Sequence, residues 1–301
     1  MRLLITGVNG LLGEHLVRHY LLDPTMSVVG VGRGICRISN LPTLGNWRYQ
    51  ALDITNGVGI TTLIETVQPD VIIHAAAMTQ IDQAELDPIA CWAANVTATR
   101  FILHAAGLVG AGVVFVSTDF VFDGLAGPYA ETDRPSPVNY YGSSKWAAER
   151  AVQAYIGWWA IVRTVLVYGQ VGDGTRAHLL TWVKESLEAG QQIQVVQDQW
   201  RTPTYVGDLV AGIARVVDQS RSGLWHISGA ETMTPFDMAI ATAKHLRLPT
   251  VGIQPVTAAT FQQPGKRPPR TGFIIDQARI QLGFEPRSFE AGLQMMFPQF
   301  P

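Results

Sequence analysis

Two side chains able to do chemistry stand four residues apart in "NYYGSSK", residues 139–145, where Tyr141 precedes Lys145 in a chain with only four lysines. On a helix, a step of four residues returns to within about 40° of its starting direction, whereas the five-residue step from Tyr140 ends about 140° away. Tyr141 can therefore share a face with Lys145, and Tyr140 cannot if the helix has already begun there. A free phenol ionises near a pH of about 10, too high for a proton relay at neutral pH unless a nearby cation favours its anion. Lys145 supplies such a charge, and its ammonium is also suited to hold a nicotinamide ribose. Ser117 and Thr118 close the strand-like run "GVVFVST" (112–118), where a hydroxyl can orient a carbonyl toward Tyr141. Together these groups suit hydride transfer to a carbonyl carbon, with Tyr141 donating the proton to the oxygen.

Such chemistry needs a cofactor platform, and "ITGVNGLLGEHLV" provides its pattern: Gly7, Gly10 and Gly13 follow the first strand and open a helix. Glycine allows a tight turn and close approach of backbone to a pyrophosphate, whose charge the helix N-terminus stabilises. From Ser27 to Asn40 there is no acidic residue to bind a free ribose 2′-hydroxyl; Arg33 stands there with Arg37 close by. This pattern favours NADP(H), with NAD(H) as the weaker alternative. Asp53, after the third strand, is placed to accept hydrogen bonds from an adenine amino group.

The supporting elements follow an alternating pattern. Short β-branched runs at 2–6, 27–32, 47–52, 71–76, 112–117 and 159–165 are interleaved with helical periodicity at 11–21, 59–67, 88–107 and 140–156. That alternation predicts a Rossmann-type, doubly wound α/β fold on a parallel sheet. Beyond Tyr168 the pattern predicts helices near 176–188, 207–217, 234–246 and 288–296 and strand-like pieces at 193–196, 223–227 and 250–256. These read as a smaller, partly interleaved C-terminal α/β lobe: residues 1–168 with a returning segment at about 190–228 bind the cofactor, and 169–189 with 229–301 bind substrate.

With 301 residues, 47% hydrophobic content, 15% charged residues and a net charge of -2, the chain can bury a large core and shows no basic footprint for nucleic acid or membrane. Cys36 and Cys91 have neither paired nor metal-type spacing, and the seven histidines are dispersed, so no metal site is expected. His74 at a strand end reads as packed. The opening "MRLLITG" is strand-like and carries no charged leader, which makes a reduced, cytoplasmic protein the expectation. The motifs of serine hydrolases, zinc proteases and P-loop proteins do not occur.

The chain resembles the extended short-chain dehydrogenase/reductases, and within them the dTDP-4-dehydrorhamnose reductase family. The resemblance runs through "GVNGLLG" (7–13), "DIT" (53–55), "HAAAMTQIDQAELDP" (74–88), "STDFVFDG" (117–124), "PYAETDRPSPVNYYGSSKWAAE" (128–149), "VYG" (167–169), "DQWRTPTYVGDL" (198–209) and "KRPPRTG" (266–272). It implies a catalytic set of Thr118, Tyr141 and Lys145, with the cofactor lined by Gly10, Leu11, Leu12, Asp53, Ile54, Ala75, Ala76 and Ala77. It further implies a supporting role for Asn95, and contacts to a nucleotide-sugar substrate from Thr118, Asp119, Trp200 and Arg201.

The activity so implied is NADPH-dependent reduction of a nucleotide-activated 4-keto-6-deoxy sugar, dTDP-4-dehydro-L-rhamnose, with a homodimer allowed. One departure is Leu166, where that branch commonly carries a tryptophan beside the sugar; it leaves open a reductase or epimerase of another nucleotide sugar. The same branch includes relatives similar to the regulatory β subunit of methionine adenosyltransferase, which bind NADP and serve as partners of another enzyme.

Overall fold

Runs of Val, Ile and Leu uninterrupted by polar residues fit strands covered on both faces, and these runs build the centre of the molecule. The computed structural model describes residues 1–41, 46–170 and 178–298. Its strands are β1 (Arg2–Thr6), β2 (Ser27–Gly32), β3 (Asn46–Ala51), β4 (Val71–His74), β5 (Gly112–Thr118), β6 (Trp159–Thr164), β7 (Val167–Tyr168), β8 (Ile193–Val196), β9 (Thr204–Tyr205), β10 (Gly223–His226) and β11 (Ile253–Val256). The helices are α1 (Leu11–Tyr20), α2 (Gly57–Val67), α3 (Ile81–Leu86), α4 (Pro88–Trp92), α5 (Ala98–Val109), α6 (Tyr140–Gln153), α7 (Leu179–Glu188), α8 (Val206–Asp218), α9 (Pro235–His245), α10 (Asp276–Leu282) and α11 (Phe289–Met296).

Seven strands form one parallel sheet in the order β10-β6-β5-β4-β1-β2-β3. From β1 the chain winds outward to β2 and β3, then crosses back to place β4 on the other side of β1. The C-terminal ends of β1 and β4, paired at Thr6 and His74, therefore flank the switch point where open α/β sheets bind ligands. One face is covered by α1 and α8, whose Leu16, Val17, Leu209 and Ile213 pack on β1 and β6. The opposite face is covered by α2, α5 and α6 through Ile60, Ile64, Ile102, Ala148 and Val152.

Of the segment 190–228, α8 and β10 join these central layers, while β8 pairs with β11 in a separate two-stranded sheet. The β7–β9 pair is a third, two-residue parallel contact. The predicted strand at 250–256 begins as a 3₁₀ turn, and only Ile253–Val256 pairs. The helix predicted at 88–107 is divided: a π-helical turn over Ala93–Thr97 separates α4 from α5. The start of the helix predicted at 176–188 lies partly outside the described residues, and α7 runs from Leu179. Six-residue α3 and seven-residue α10 are too short to show a helical period in sequence.

Helix α6 is fixed at its start by Asn139, whose side chain accepts from Gly142 N at 2.7 Å. It lies so close to the turn after β5 that a Cβ at Gly142 would overlap the Phe120 carbonyl oxygen. Gly142→Ala must displace one backbone from the other; a loss of about 1–3 kcal/mol is expected. Urea denaturation measures it, and an unchanged midpoint would contradict the contact.

Candidate active site

Because α6 begins at Tyr140, the helical phase applies from that residue and separates the two tyrosines. Tyr141 turns inward to 7% exposure and meets Phe120 edge-on, with ring centroids 6.0 Å apart. Tyr140 instead faces Trp92 at 6.4 Å, and its backbone N–H donates to Glu85 Oε1. The Tyr141 phenol lies close enough to Thr118, at the end of β5, for that hydroxyl to act on its titration. Lys145, one turn further along α6, is enclosed to 2% exposure; its Nζ donates to Val116 O at 2.8 Å and lies 3.9 Å from the centre of the Phe115 ring. Thr118, Tyr141 and Lys145 are thus brought together.

Burial dominates the electrostatics of the pair. Burial raises the Tyr141 pKa well above the ordinary phenol range, with the Thr118 hydroxyl opposing and the Asp119 charge reinforcing it. The direction of this shift favours the neutral phenol, the form a proton donor requires. Burial also pushes the Lys145 ammonium down to about 7, against the raising influence of Glu149. Ser117, on the same strand, has its hydroxyl buried with no hydrogen-bond partner among the described residues.

On the cofactor side, Gly7 has φ +77, and a Cβ there would lie 2.8 Å from Ala76 N. This contact joins the glycine turn to the Ala75–Ala77 segment after β4. Gly13 is packed so tightly on Gly7 and Val8 that any side chain would overlap their backbone. The first i→i−4 bond of α1 runs from Glu14 N to Gly10 O, which leaves the amides of Leu11 and Leu12 at the helix N-terminus ahead of the ladder. A turn that excludes side chains and ends in forward-facing amides fits a pyrophosphate.

Beyond it, Arg33 is exposed just past β2, close enough to Asp53 for its charge to act on that carboxylate. Burial raises the Asp53 pKa, but hydrogen bonds from Thr55 N and Oγ1 together with Arg33 outweigh it and hold the group below its usual range. Ile54 is buried against the sheet. Two residues that the sequence reading passes over fix this loop. Asn9 donates to Arg33 O and Ile35 O and accepts from Arg37 N, and Tyr49 donates to Gly34 O. The available signal was an amide residue inside the glycine motif, between Val8 and Gly10.

Asn95 sits at the π-helical turn and pairs with Met78 through both its amide atoms, accepting from N at 2.8 Å and donating to O at 3.0 Å. It also donates to Ser144 Oγ at 2.9 Å, so it ties the segment after β4 to α6. His74 is packed, as expected: Thr6 and Thr99 engage its two ring nitrogens, and burial pushes it down to about 3.

The residues expected at the sugar divide. Trp200 remains partly exposed, whereas Arg201 is buried. Its guanidinium donates to Trp200 O, Pro268 O and Pro269 O and lies 3.9 Å from Asp119. Asp119 is likewise buried, accepts from Thr271 and Thr118, and has its carboxyl raised by burial. These two side chains clasp the 268–271 segment beneath the site. Leu166, at φ +34 between β6 and β7, is packed partly into the core.

The pattern of the RmlD substrate binding domain matches residues 1–300. Methionine adenosyltransferase 2 subunit beta of Xenopus tropicalis is 32% identical over 262 residues, covering 85% of this chain and 75% of the relative. The dTDP-4-dehydrorhamnose reductase of Streptomyces griseus is 32% identical over 310 residues, covering 99% and 93%. The dTDP-4-dehydrorhamnose reductase of Bacillus anthracis, solved in complex with NADP, is 30% identical, covers 98% of each chain and superposes with a TM-score of 0.84. With the glycine turn, the α6 pair and the clasped floor all carried on a framework matched from end to end, this chain belongs to the RmlD substrate binding domain family.

Proposed function

We propose that the chain is an NADPH-dependent reductase of a nucleotide-activated 4-keto-6-deoxy sugar, with dTDP-4-dehydro-L-rhamnose as substrate. The observation that carries this reading is the buried Tyr141 phenol beside Thr118 and one helical turn from the buried Lys145, at the C-terminal edge of the sheet. The names of the Streptomyces and Bacillus relatives supply the sugar, and the Bacillus complex supplies the cofactor.

When bound, a reduced nicotinamide supplies hydride to a carbonyl carbon. Thr118 then holds the substrate oxygen toward Tyr141, and Tyr141 donates its phenolic proton as that oxygen gains the electron pair. Lys145 carries positive charge beside the phenol and offsets the phenolate that the transfer leaves. Gly7, Gly10, Leu11, Leu12 and Gly13 receive the pyrophosphate, while Arg33 meets the ribose 2′-phosphate and Asp53 with Ile54 borders the adenine. Ala75, Ala76 and Ala77 line the dinucleotide, and Asn95 keeps that segment in register with α6. Trp200 covers the nucleotide sugar, and Arg201 and Asp119 act beneath it by holding the strap at 268–271.

A second reading is favoured by the identity to methionine adenosyltransferase 2 subunit beta: a cofactor-binding regulatory subunit with no turnover of its own. Purified protein mixed with NADPH and dTDP-4-dehydro-L-rhamnose distinguishes the two. Oxidation of NADPH, followed by absorbance, is expected; a flat trace at saturating sugar rules out this substrate. In the reductase, Tyr141→Phe is expected to lower kcat by about 10²–10⁴-fold with NADPH binding retained, while Tyr140→Phe has a mild effect. Equal losses in the two variants would overturn the assignment of the acid. Arg33→Ala is expected to weaken NADPH binding by about 10- to 100-fold and to leave NADH binding nearly unchanged, as titration of cofactor fluorescence would show. Similar losses for both cofactors would remove Arg33 from the 2′-phosphate.

A further inference from the structure

The face of α6 that carries Tyr141 and Lys145 continues to Glu149, at positions i, i+4 and i+8. Glu149 is 1% exposed and is paired with a cation. Its Oε1 accepts from Arg163 Nε at 2.9 Å and its Oε2 from Arg163 Nη2 at 2.7 Å, a two-pronged bond from β6. Arg163 is itself 2% exposed and is held between the Phe122 ring and His226. A pair so deeply buried adds little to stability compared with a well-packed apolar one, so its presence calls for another reason.

The surroundings of Lys145 supply one. The groups whose charges are coupled to Lys145 are Glu149 on α6, Cys91 on α4 and His74 on β4, with Arg163 on β6 paired to Glu149. The Cys91 thiol is kept neutral by burial, which raises its pKa. His74 is neutral at pH 7, since burial and the Lys145 charge both lower it. Asp119 is engaged by Thr271 and Arg201. Glu149 is left as the anion whose charge acts on the lysine.

We propose that Glu149, clamped by Arg163, is a positioning residue that keeps Lys145 in its charged form behind the Tyr141 phenol. The proposal rests on the reductase reading above for its consequence in catalysis, but its physical content belongs to the ligand-free protein. An opposite charge stabilises the ammonium; removing it must move the lysine titration to lower pH.

The test exploits the chain having four lysines, Lys145, Lys184, Lys244 and Lys266, so that ¹³C labelling at lysine Cε gives four NMR signals. Lys145→Met identifies the relevant one. In E149Q its midpoint is expected to fall by about one pH unit, tenfold in proton concentration. Because E149Q leaves a buried guanidinium unpaired and can unfold, E149Q/R163M is measured beside it. There neither charge remains, the fold is expected to be kept, and the midpoint is expected to move in the same direction. A midpoint that stays at its wild-type value in the folded variants overturns the proposal, since a purely structural ion pair would leave it there. In the active enzyme the alkaline limb of the kcat/KM profile is expected to move with the midpoint. A wild-type protein that shows the titration and fails to oxidise NADPH with the ketosugar would overturn the reductase reading and leave the Lys145–Glu149 coupling intact.

Discussion

Removing an ammonium ion from water opposes folding unless charge and hydrogen bonds are returned to it. Lys145 is enclosed to the same degree as a core leucine, and the structure answers that demand piece by piece. The Val116 carbonyl and the Phe115 ring on β5 face its nitrogen. Glu149 answers its charge from the next turn of α6, Arg163 on β6 answers Glu149, and Phe122 and His226 enclose Arg163. Satisfying one cation therefore fixes the phase of α6 against three adjacent strands. The same phase aims Tyr141 at Thr118 and turns Tyr140 away.

The close approach of α6 to the 119–121 turn belongs to the same constraint. A side chain at Gly142 would hold the helix off, and the phenol would then lose both Thr118 and the enclosure that keeps it protonated. The low dielectric that makes Lys145 hard to charge also makes Tyr141 hard to ionise. A proton donor gains from the second effect, because the proton is retained until a substrate oxygen demands it.

Local signals made much of this legible in the sequence. The β-branched runs of β1, β2, β5 and β6 read as buried parallel strands, since both faces are covered and no polar alternation confuses them. The glycine turn and the four-residue step from Tyr141 to Lys145 are short-range geometry and needed nothing distant. What stayed hidden was long-range pairing. Glu149 meets Arg163 across a helix and a strand, Asn9 secures a loop about 25 residues away, and Arg201 spends its guanidinium on the carbonyls of Pro268 and Pro269. The π-helical turn at Ala93–Thr97 has no periodic signature, yet it presents Asn95 to Met78 and Ser144. The resemblance put Arg201 and Asp119 at the sugar; in the structure both are buried, lie 3.9 Å apart and engage the 268–271 segment.

That floor also joins parts of the chain that are far apart in sequence. Asp119 lies early, but the hydroxyl that completes its shell belongs to Thr271, 152 residues later. A truncated chain ending short of Thr271 would carry the glycine turn, Tyr141 and Lys145 in full and still lack a finished site. The groups that do the chemistry thus lie in the first half of the sequence, and the residue that closes the floor beneath them lies in its last tenth.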